Sequence, residues 1–172
     1  VEAGLLLGRA QLGVGERAAA QATLAETYWT AVREGLDGLA AEAALACSGA
    51  AAEGQDGEAT RTWVRHAEAV VLRTGRDPRQ LGQLQGILAL VAGDAGDRAA
   101  AGQHHERALA LFDRAGALAR GDAGTAHANY ANDLRGPDPA AARAYLTEAN
   151  RARFVLLPEP PLPAEWGRRL AS

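Results

Sequence analysis

Residues 98–116 read Arg-Ala-Ala-Ala-Gly-Gln-His-His-Glu-Arg-Ala-Leu-Ala-Leu-Phe-Asp-Arg-Ala-Gly. Small and apolar side chains recur in this stretch at steps of three and four, which places them on one face of a helix. These residues are Ala101, His105, Ala108, Leu109, Phe112 and Ala115. Asp97 is the predicted N-cap of this helix, and Gly116 is its predicted left-handed stop. Because one such helix cannot bury its apolar face alone, we expect neighbouring helices of the same design.

The same pattern returns along the chain in one nearly constant register. Three columns show it: Ala20, Thr60, Ala101 and Ala142; Leu24, Val64, His105 and Leu146; Thr27, Ala67, Ala108 and Ala149. The stop glycine recurs at Gly35, Gly75 and Gly116, and Leu157 takes the next position. Columns that share one register indicate an internal repeat.

The repeat predicts an all-α fold in which eight helices form four helix-turn-helix repeats, at about residues 1–35, 36–76, 77–116 and 117–154. Asp77-Pro78 and Asp138-Pro139 each combine a capping carboxylate with proline at the first helical position, which is a specific start signal. Asp56 is the expected cap of the fourth helix. Residues 116–124 are expected to form a longer loop, with the seventh helix running from about Thr125 to Arg135.

Composition agrees with a helical domain. The chain has 172 residues, of which 48% are hydrophobic, many of them alanine, and only 5% are aromatic. β-Branched residues are sparse and alternating runs are absent, so little favours a sheet. All 18 basic residues are arginine, and a net charge of −3 with scattered signs is not typical of a nucleic-acid-binding protein.

Targeting and membrane signals are missing from the sequence. No apolar run reaches the roughly 18 residues of a membrane span. The chain begins at Val1 with no initiator methionine and no signal peptide. We therefore expect a cytoplasmic protein of which this chain is one part, with no membrane partner.

The repeat unit resembles the tetratricopeptide repeat. Large-then-small pairs (Leu7-Gly8, Leu88-Ala89) precede Ala20 and Ala101, the small residues that open the second-helix column. The unit is longer than the usual tetratricopeptide unit, at about 41 residues, and is similar to the longer variety found in kinesin light chains. This resemblance implies a TPR-like α-α superhelix, or solenoid, over residues 1–154.

Four further phrases resemble the C-terminal repeat region of bacterial serine/threonine protein kinases. They are Leu6-Leu7-Gly8-Arg9, Trp63-x-x-His66-Ala67-Glu68, Glu106-Arg107-Ala108-Leu109-Ala110-Leu111 and Ala128-Asn129-Tyr130-Ala131-Asn132. Those kinases usually have Asn-Leu-Gly where this chain has Asn129-Tyr130-Ala131. The chain has no lysine and none of the kinase signatures, so it is not itself the kinase, and we expect no enzyme activity.

The repeat pattern implies a concave surface formed by the first helix of each hairpin, and function would depend on the side chains that point into it. The candidate binding residues are Arg9, Glu42, Gln83, Thr125, Asn129, Asn132 and Arg135. Other positions on the same surface are Glu2, Leu5, Leu12, Leu45, Gly49, Gly86, Leu90 and Ala128. The side-chain amides of Asn129 and Asn132 can hold a peptide backbone, since each offers a donor and an acceptor. Alternatively, Asn129 caps or bridges an adjacent helix, and Gly86 is a packing residue.

The other reactive side chains have structural interpretations. His104, His105, His66 and His127 invite a metal site, but His105 occupies a packing column, so we expect a partly buried ring with one satisfied nitrogen and no metal or cofactor. Trp29 and Trp63 are expected to fill seams between hairpins. Cys47 shares a column with Leu7 and Leu88 and is expected to be a small buried hydrophobe. The phrases at residues 54–57 and 93–96 are expected to be turns.

The C-terminal segment from Val155 differs from the rest. Pro158, Pro160, Pro161 and Pro163 disfavour helix, whereas Trp166 and Leu170 suggest a short apolar turn. We expect residues 155–172 to form a Pro-rich tail that folds back as a capping helix on the fourth hairpin, the alternative being a linker.

Three functions follow from this interpretation. The first is a non-catalytic interaction module that binds a peptide or partner protein in its groove, as the regulatory or substrate-recruiting part of a larger bacterial signalling protein. The second is a regulatory domain gated by a small molecule or signal peptide. A deep apolar pocket would favour this second function, and a long open polar channel the first. The third is weak homo-oligomerisation through an uncapped terminal hairpin.

Overall fold

The computed structural model describes residues 1–75 and 77–154, and this part of the chain is helical without strands. The helices are α1 (Glu2–Gly13), α2 (Arg17–Arg33), α3 (Asp37–Glu53), α4 (Gly57–Arg73), α5 (Pro78–Asp94), α6 (Arg98–Ala115), α7 (Arg120–Leu134) and α8 (Pro139–Phe154). A 3-10 turn (Gly116–Ala119) joins α6 to α7. Among the described residues, no helix combines the length and apolar character needed to cross a bilayer. The predictions for the Pro-rich tail lie outside the described residues.

Aspartate side chains begin four of the helices, as their sequence contexts predict. Asp56, Asp97 and Asp138 each accept a hydrogen bond from the backbone N–H three residues later, at 2.9 to 3.0 Å. Asp77 accepts from the N–H of Arg79 at 2.9 Å, with Pro78 occupying the first helical position. These bonds satisfy donors that the first turn of a helix leaves without partners.

Left-handed residues follow the helices from α1 to α6 at nearly constant intervals. The predicted stops Gly35, Gly75 and Gly116 have φ values of 70°, 90° and 70°. Gly15, Gln55 and Gly96 also have positive φ values, of 84°, 57° and 79°, and Gly116 differs from an αL residue in its ψ of −143°. A left-handed residue therefore recurs once after each of these helices, at half the period found in the sequence.

In two connections, a single aspartate separates the left-handed residue from the next helix. The N–H of Asp56 donates to the carbonyl of Ala51 at 3.0 Å, and the N–H of Asp97 donates to that of Ala92 at 2.9 Å. These bonds close Schellman motifs. Since the same two aspartates cap the following helices through their side chains, a single residue ends one helix and begins the next.

Each helix packs on the next along the chain, and contacts also join α1 to α3, α3 to α5 and α5 to α7. The odd-numbered helices consequently lie side by side. The main core extends from α1 to α5 around Leu24 and Tyr28, and alanines such as Ala40 and Ala44 let the helices approach closely. A second core, formed by Ala108, Phe112, Ala119 and Ala126, joins α6, the 3-10 turn and α7.

The predicted loop at residues 116–124 is wrong. The chain leaves Gly116 as a 3-10 turn and enters α7 at Arg120, ahead of the predicted start at Thr125. Ala119 is completely buried in the second core, which holds this turn against its neighbours. Asp122 lies in the first turn of α7, where a negative charge favours the helix.

Two leucines at repeat positions, one in α1 and one in α8, are more exposed than their counterparts, although Ala142 and Ala149 of α8 are buried. Leu7 is 53% exposed, although its counterpart Cys47 is buried. Leu146 is 36% exposed, whereas its counterparts Leu24, Val64 and His105 are buried. Leu7 and Leu146 are more exposed because an end helix has fewer neighbouring helices.

Candidate functional site

A cavity of about 320 Å³ lies among the odd-numbered helices and is partly open to solvent. We call it the groove cavity. Helices α1, α3, α5 and α7 supply all of its lining except Phe112, which reaches in from α6. The lining residues are Arg9, Leu12, Glu42, Leu45, Ala46, Gly49, Ala50, Glu53, Gln83, Gly86, Ile87, Leu90, Phe112, Asp122, Thr125, Ala126 and Asn129.

Ion pairs occupy one end of the groove cavity. Arg9 donates from Nη2 to Glu42 Oε2 at 2.8 Å and so links α1 to α3. Asp122 accepts from Arg79 Nε at 2.7 Å and from Gln83 Nε2 at 3.0 Å, which links α7 to α5. The bond to Asp122 raises the pKa of the Arg79 guanidinium. Both guanidinium charges at this end are therefore neutralised by carboxylates.

Apolar side chains and two glycines form the middle of the cavity. A Cβ atom added at Gly49 or Gly86 would meet no atom of residues 1–75 and 77–154 within 4 Å, so both glycines leave open space among them. The interpretation of Gly86 as a packing residue is therefore wrong. Gly82 differs, since an added Cβ would lie 2.6 Å from Phe112 Cε1. Close packing on Gly82 holds the Phe112 ring at the wall of the cavity.

Apart from Thr125, whose hydroxyl donates to the carbonyl of Gly121, the polar lining residues outside the ion-paired groups are Glu53 and Asn129. Neither side chain forms a hydrogen bond or ion pair with another described residue. Glu53 is at the last position of α3, whereas Glu42 lies in the first half of the same helix. The groove cavity thus has an ion-paired end, an apolar middle and an end with one uncompensated carboxylate.

Five of the seven predicted binding residues line this cavity: Arg9, Glu42, Gln83, Thr125 and Asn129. Asn132 and Arg135 lie outside it. Arg135 Nη2 donates to Asn132 Oδ1 at 3.0 Å on the exposed C-terminal part of α7. The Asn129 side chain forms no capping or bridging bond to the described residues, contrary to the alternative given for it.

Sequence reasoning missed three lining residues that decide the character of the cavity. Asp122 fell in the predicted loop, and Phe112 was assigned to the buried face of α6 without reference to the cavity. Glu53 was not among the positions predicted for the concave surface, although it lines the cavity at the end of α3. The spacing from Gly49 to Glu53 was the available signal, because residues four apart share a helix face.

The histidines have structural partners outside the groove cavity. His105 is fully buried rather than partly buried, and its Nε2 lies 2.9 Å from Asp133 Oδ2. Its ring stacks on Tyr130 with centroids 4.8 Å apart. Nδ1 of His105 has no hydrogen-bond partner among the described residues. His104 Nδ1 lies 2.8 Å from Gln85 Oε1, and burial lowers the pKa of His104.

A second aromatic cluster joins α2 to α4. Tyr28 contacts the rings of Trp29, Trp63 and His66 at centroid distances of 4.8 to 5.4 Å, and its hydroxyl lies 3.1 Å from His66 Nδ1. Trp63 is partly buried, whereas Trp29 is 46% exposed and does not fill a seam as predicted. In the part of the chain that the structure describes, no three His, Cys, Asp or Glu side chains are grouped for a metal ion.

Cys47 is buried in α3, and burial raises its pKa to about 12. A thiol in this state is not a nucleophile near neutral pH.

Comparisons with protein-family models, with curated proteins and with solved structures find no match for this chain. The groove cavity is therefore the feature from which function is inferred.

Proposed function

We propose that the chain is a TPR-like α-α superhelix of helical hairpins that binds a peptide or a partner protein in the groove cavity. It acts without catalysis, as the regulatory or substrate-recruiting part of a larger bacterial signalling protein of the serine/threonine kinase type. The repeat register, the left-handed stops at half the period and the side-by-side odd-numbered helices support this architecture.

The groove cavity is the observation on which the functional proposal rests. Its lining combines an open apolar middle with polar groups at both ends, which is the usual make-up of a binding site. Gly49 and Gly86 leave space that no side chain in the described part of the chain fills. Since no pair of groups is arranged there as nucleophile and base, binding is the chemistry that the lining favours.

A gated regulatory domain is the second candidate. The lining is apolar between its polar ends, and the volume of about 320 Å³ suits a small molecule or a few peptide residues. The cavity is partly open to solvent and polar at both ends, so it is neither the deep apolar pocket that would favour gating nor a long open polar channel.

Self-association is a third candidate, supported by the exposed apolar residues of α1 and of the turn after it. Leu6, Leu7 and Val14 are 67%, 53% and 74% exposed. Apolar side chains grouped in one exposed part of a protein are typical of an interaction surface. Light scattering over a range of protein concentrations tests it.

Peptide display against the purified chain tests the main proposal. We expect selected peptides to bind with micromolar Kd, and Gly86→Leu to weaken binding at least tenfold because its side chain enters the open middle of the cavity. The matched control is Gly57→Leu, since Gly57 is exposed and belongs to α4, which contributes no lining residue. Equal binding by the wild-type chain and Gly86→Leu, or failure to select any peptide, would overturn the proposal.

A further inference from the structure

The charges around the groove cavity are not balanced along its length. Arg9 and Arg79 are each paired with a carboxylate at the same end. Glu53, at the end of α3, has no ion pair with a described residue. A carboxylate without a partner attracts a cationic group and repels an anionic one. The Glu53 end therefore favours a ligand with a positive charge.

The length of the cavity indicates how much ligand it can hold. Glu42 and Glu53 both line it and lie about three helical turns apart on α3. At the rise of an α-helix, this separation is roughly 16 Å. An extended peptide advances about 3.3 Å per residue, so roughly five residues span the same distance.

The open space and the unpaired charge lie one helical turn apart. Gly49 and Glu53 are four positions apart on α3, which corresponds to a rise of roughly 6 Å. In an extended peptide, side chains i and i+2 point the same way and are separated by about 6.6 Å. If an apolar side chain of the peptide occupies the space left by Gly49 and Gly86, the peptide side chain two residues away therefore lies next to Glu53.

Asn129 supplies a group in the same cavity that can bind a peptide backbone. Its side chain lines the cavity and forms no hydrogen bond with the described residues. A carboxamide offers both a donor and an acceptor, which matches one peptide unit of an extended strand. This match favours a peptide over a small apolar molecule.

Building on the proposed groove function, we infer that the ligand is a short extended peptide segment in which an apolar residue and an arginine or lysine are two positions apart. The apolar side chain occupies the space at Gly49 and Gly86, and the basic side chain pairs with Glu53. Asn129 binds the peptide backbone.

Titration with short peptides, followed by NMR of the labelled protein up to millimolar concentration, tests this inference. The probe is acetyl-Ala-Ala-Leu-Ala-Arg-Ala-amide, compared with versions in which Gln or Glu replaces the Arg and with one in which Leu and Arg are adjacent. We expect the Arg peptide to bind up to about fivefold more tightly than the Gln peptide, the size of a partly exposed ion pair. The Glu peptide and the adjacent-spacing peptide should bind more weakly than the Arg peptide.

Glu53→Gln is the decisive variant. Glu53 is exposed at the end of its helix, so the substitution should leave the fold intact. We expect it to remove the preference for Arg over Gln while leaving the affinity for the Gln peptide unchanged. Equal affinity of the wild-type chain for the Arg, Gln and Glu peptides would overturn the inference, as would a preference that survives Glu53→Gln.

Failure of this inference is distinguishable from failure of the proposed function. If display yields peptides that Gly86→Leu no longer binds, but these lack the spaced apolar and basic pair, the inference is wrong and the groove function stands. If only a small apolar molecule competes for the cavity and no peptide binds, both are wrong and the gated alternative is favoured.

Discussion

Gln55 occupies a backbone position that glycine occupies at the five other left-handed stops. Its φ is 57°, a conformation that costs a residue with a Cβ atom about 1–2 kcal/mol. Glycine avoids this cost but loses more entropy on folding, by about 0.4–1 kcal/mol. We expect Gln55→Gly to raise the free energy of unfolding by about 0.5 kcal/mol, measured by urea denaturation.

Gly35→Gln is the reciprocal change, since Gly35 has a φ of 70° at the equivalent stop. An added Cβ would meet no atom within 4 Å there, so the substitution tests backbone strain without a steric clash. It should destabilise the protein by about 0.5 kcal/mol, because the backbone strain is again partly offset by the lower entropy of the unfolded chain. If Gln55→Gly is destabilising, or if Gly35→Gln is neutral, the left-handed stops do not determine how the helices end.

At the scale of helices, alanine sets how closely neighbours approach. Ala67 in α4 is fully buried and Ala101 in α6 is 3% exposed, whereas Ala110 lies on the exposed face of α6. Replacing Ala67 or Ala101 by Leu should overpack the seams and cost about 1–3 kcal/mol. Ala110→Leu should change the stability by less than about 0.5 kcal/mol. Similar losses in all three variants, measured by urea denaturation, would contradict the helix register.

Helix starts and stops could be predicted because their causes are local. An aspartate cap and a left-handed glycine each act within a few residues, so Asp97 and Gly116 were recognisable from sequence alone. The beginning of α7 could not be predicted in this way. Three glycines in residues 116–124 favoured a loop, but burial of Ala119 stabilises a continuous helical path instead.

The lining of the groove cavity was predictable only where the repeat pattern applies. Gln83 and Thr125 were found because each is on the first helix of its hairpin. The pairing of Asp122 with Arg79 depends on the distance between α5 and α7, which no local pattern encodes. Asn132 was misplaced because it lies one turn beyond Asn129, past the end of the cavity.

At the scale of the molecule, the question is whether the helices unfold as one unit or as a stack of partly independent hairpins. In a stack each hairpin contacts only its neighbours, so damage at one end has a small effect at the other. Cys47 is suited to report on this, because it is the only cysteine of the chain and is 1% exposed in α3. Its pKa of about 12 keeps the buried thiol neutral and unreactive at pH 8.

Labelling of Cys47 by a disulfide reagent at pH 8 therefore measures how often α3 opens, provided that closing is faster than the reaction. Ala67→Leu disturbs α4, which packs directly on α3, and should accelerate labelling by roughly tenfold or more. Ala101→Leu disturbs α6, which lies beyond α5, and should accelerate the labelling of Cys47 much less. We expect this difference even if urea denaturation shows a similar loss in free energy of unfolding for the two variants. Equal acceleration of labelling by the two substitutions would show that the helices open as a single cooperative unit. The stacked architecture would then be wrong, because only partly independent hairpins confine the effect of a substitution to one end of the stack.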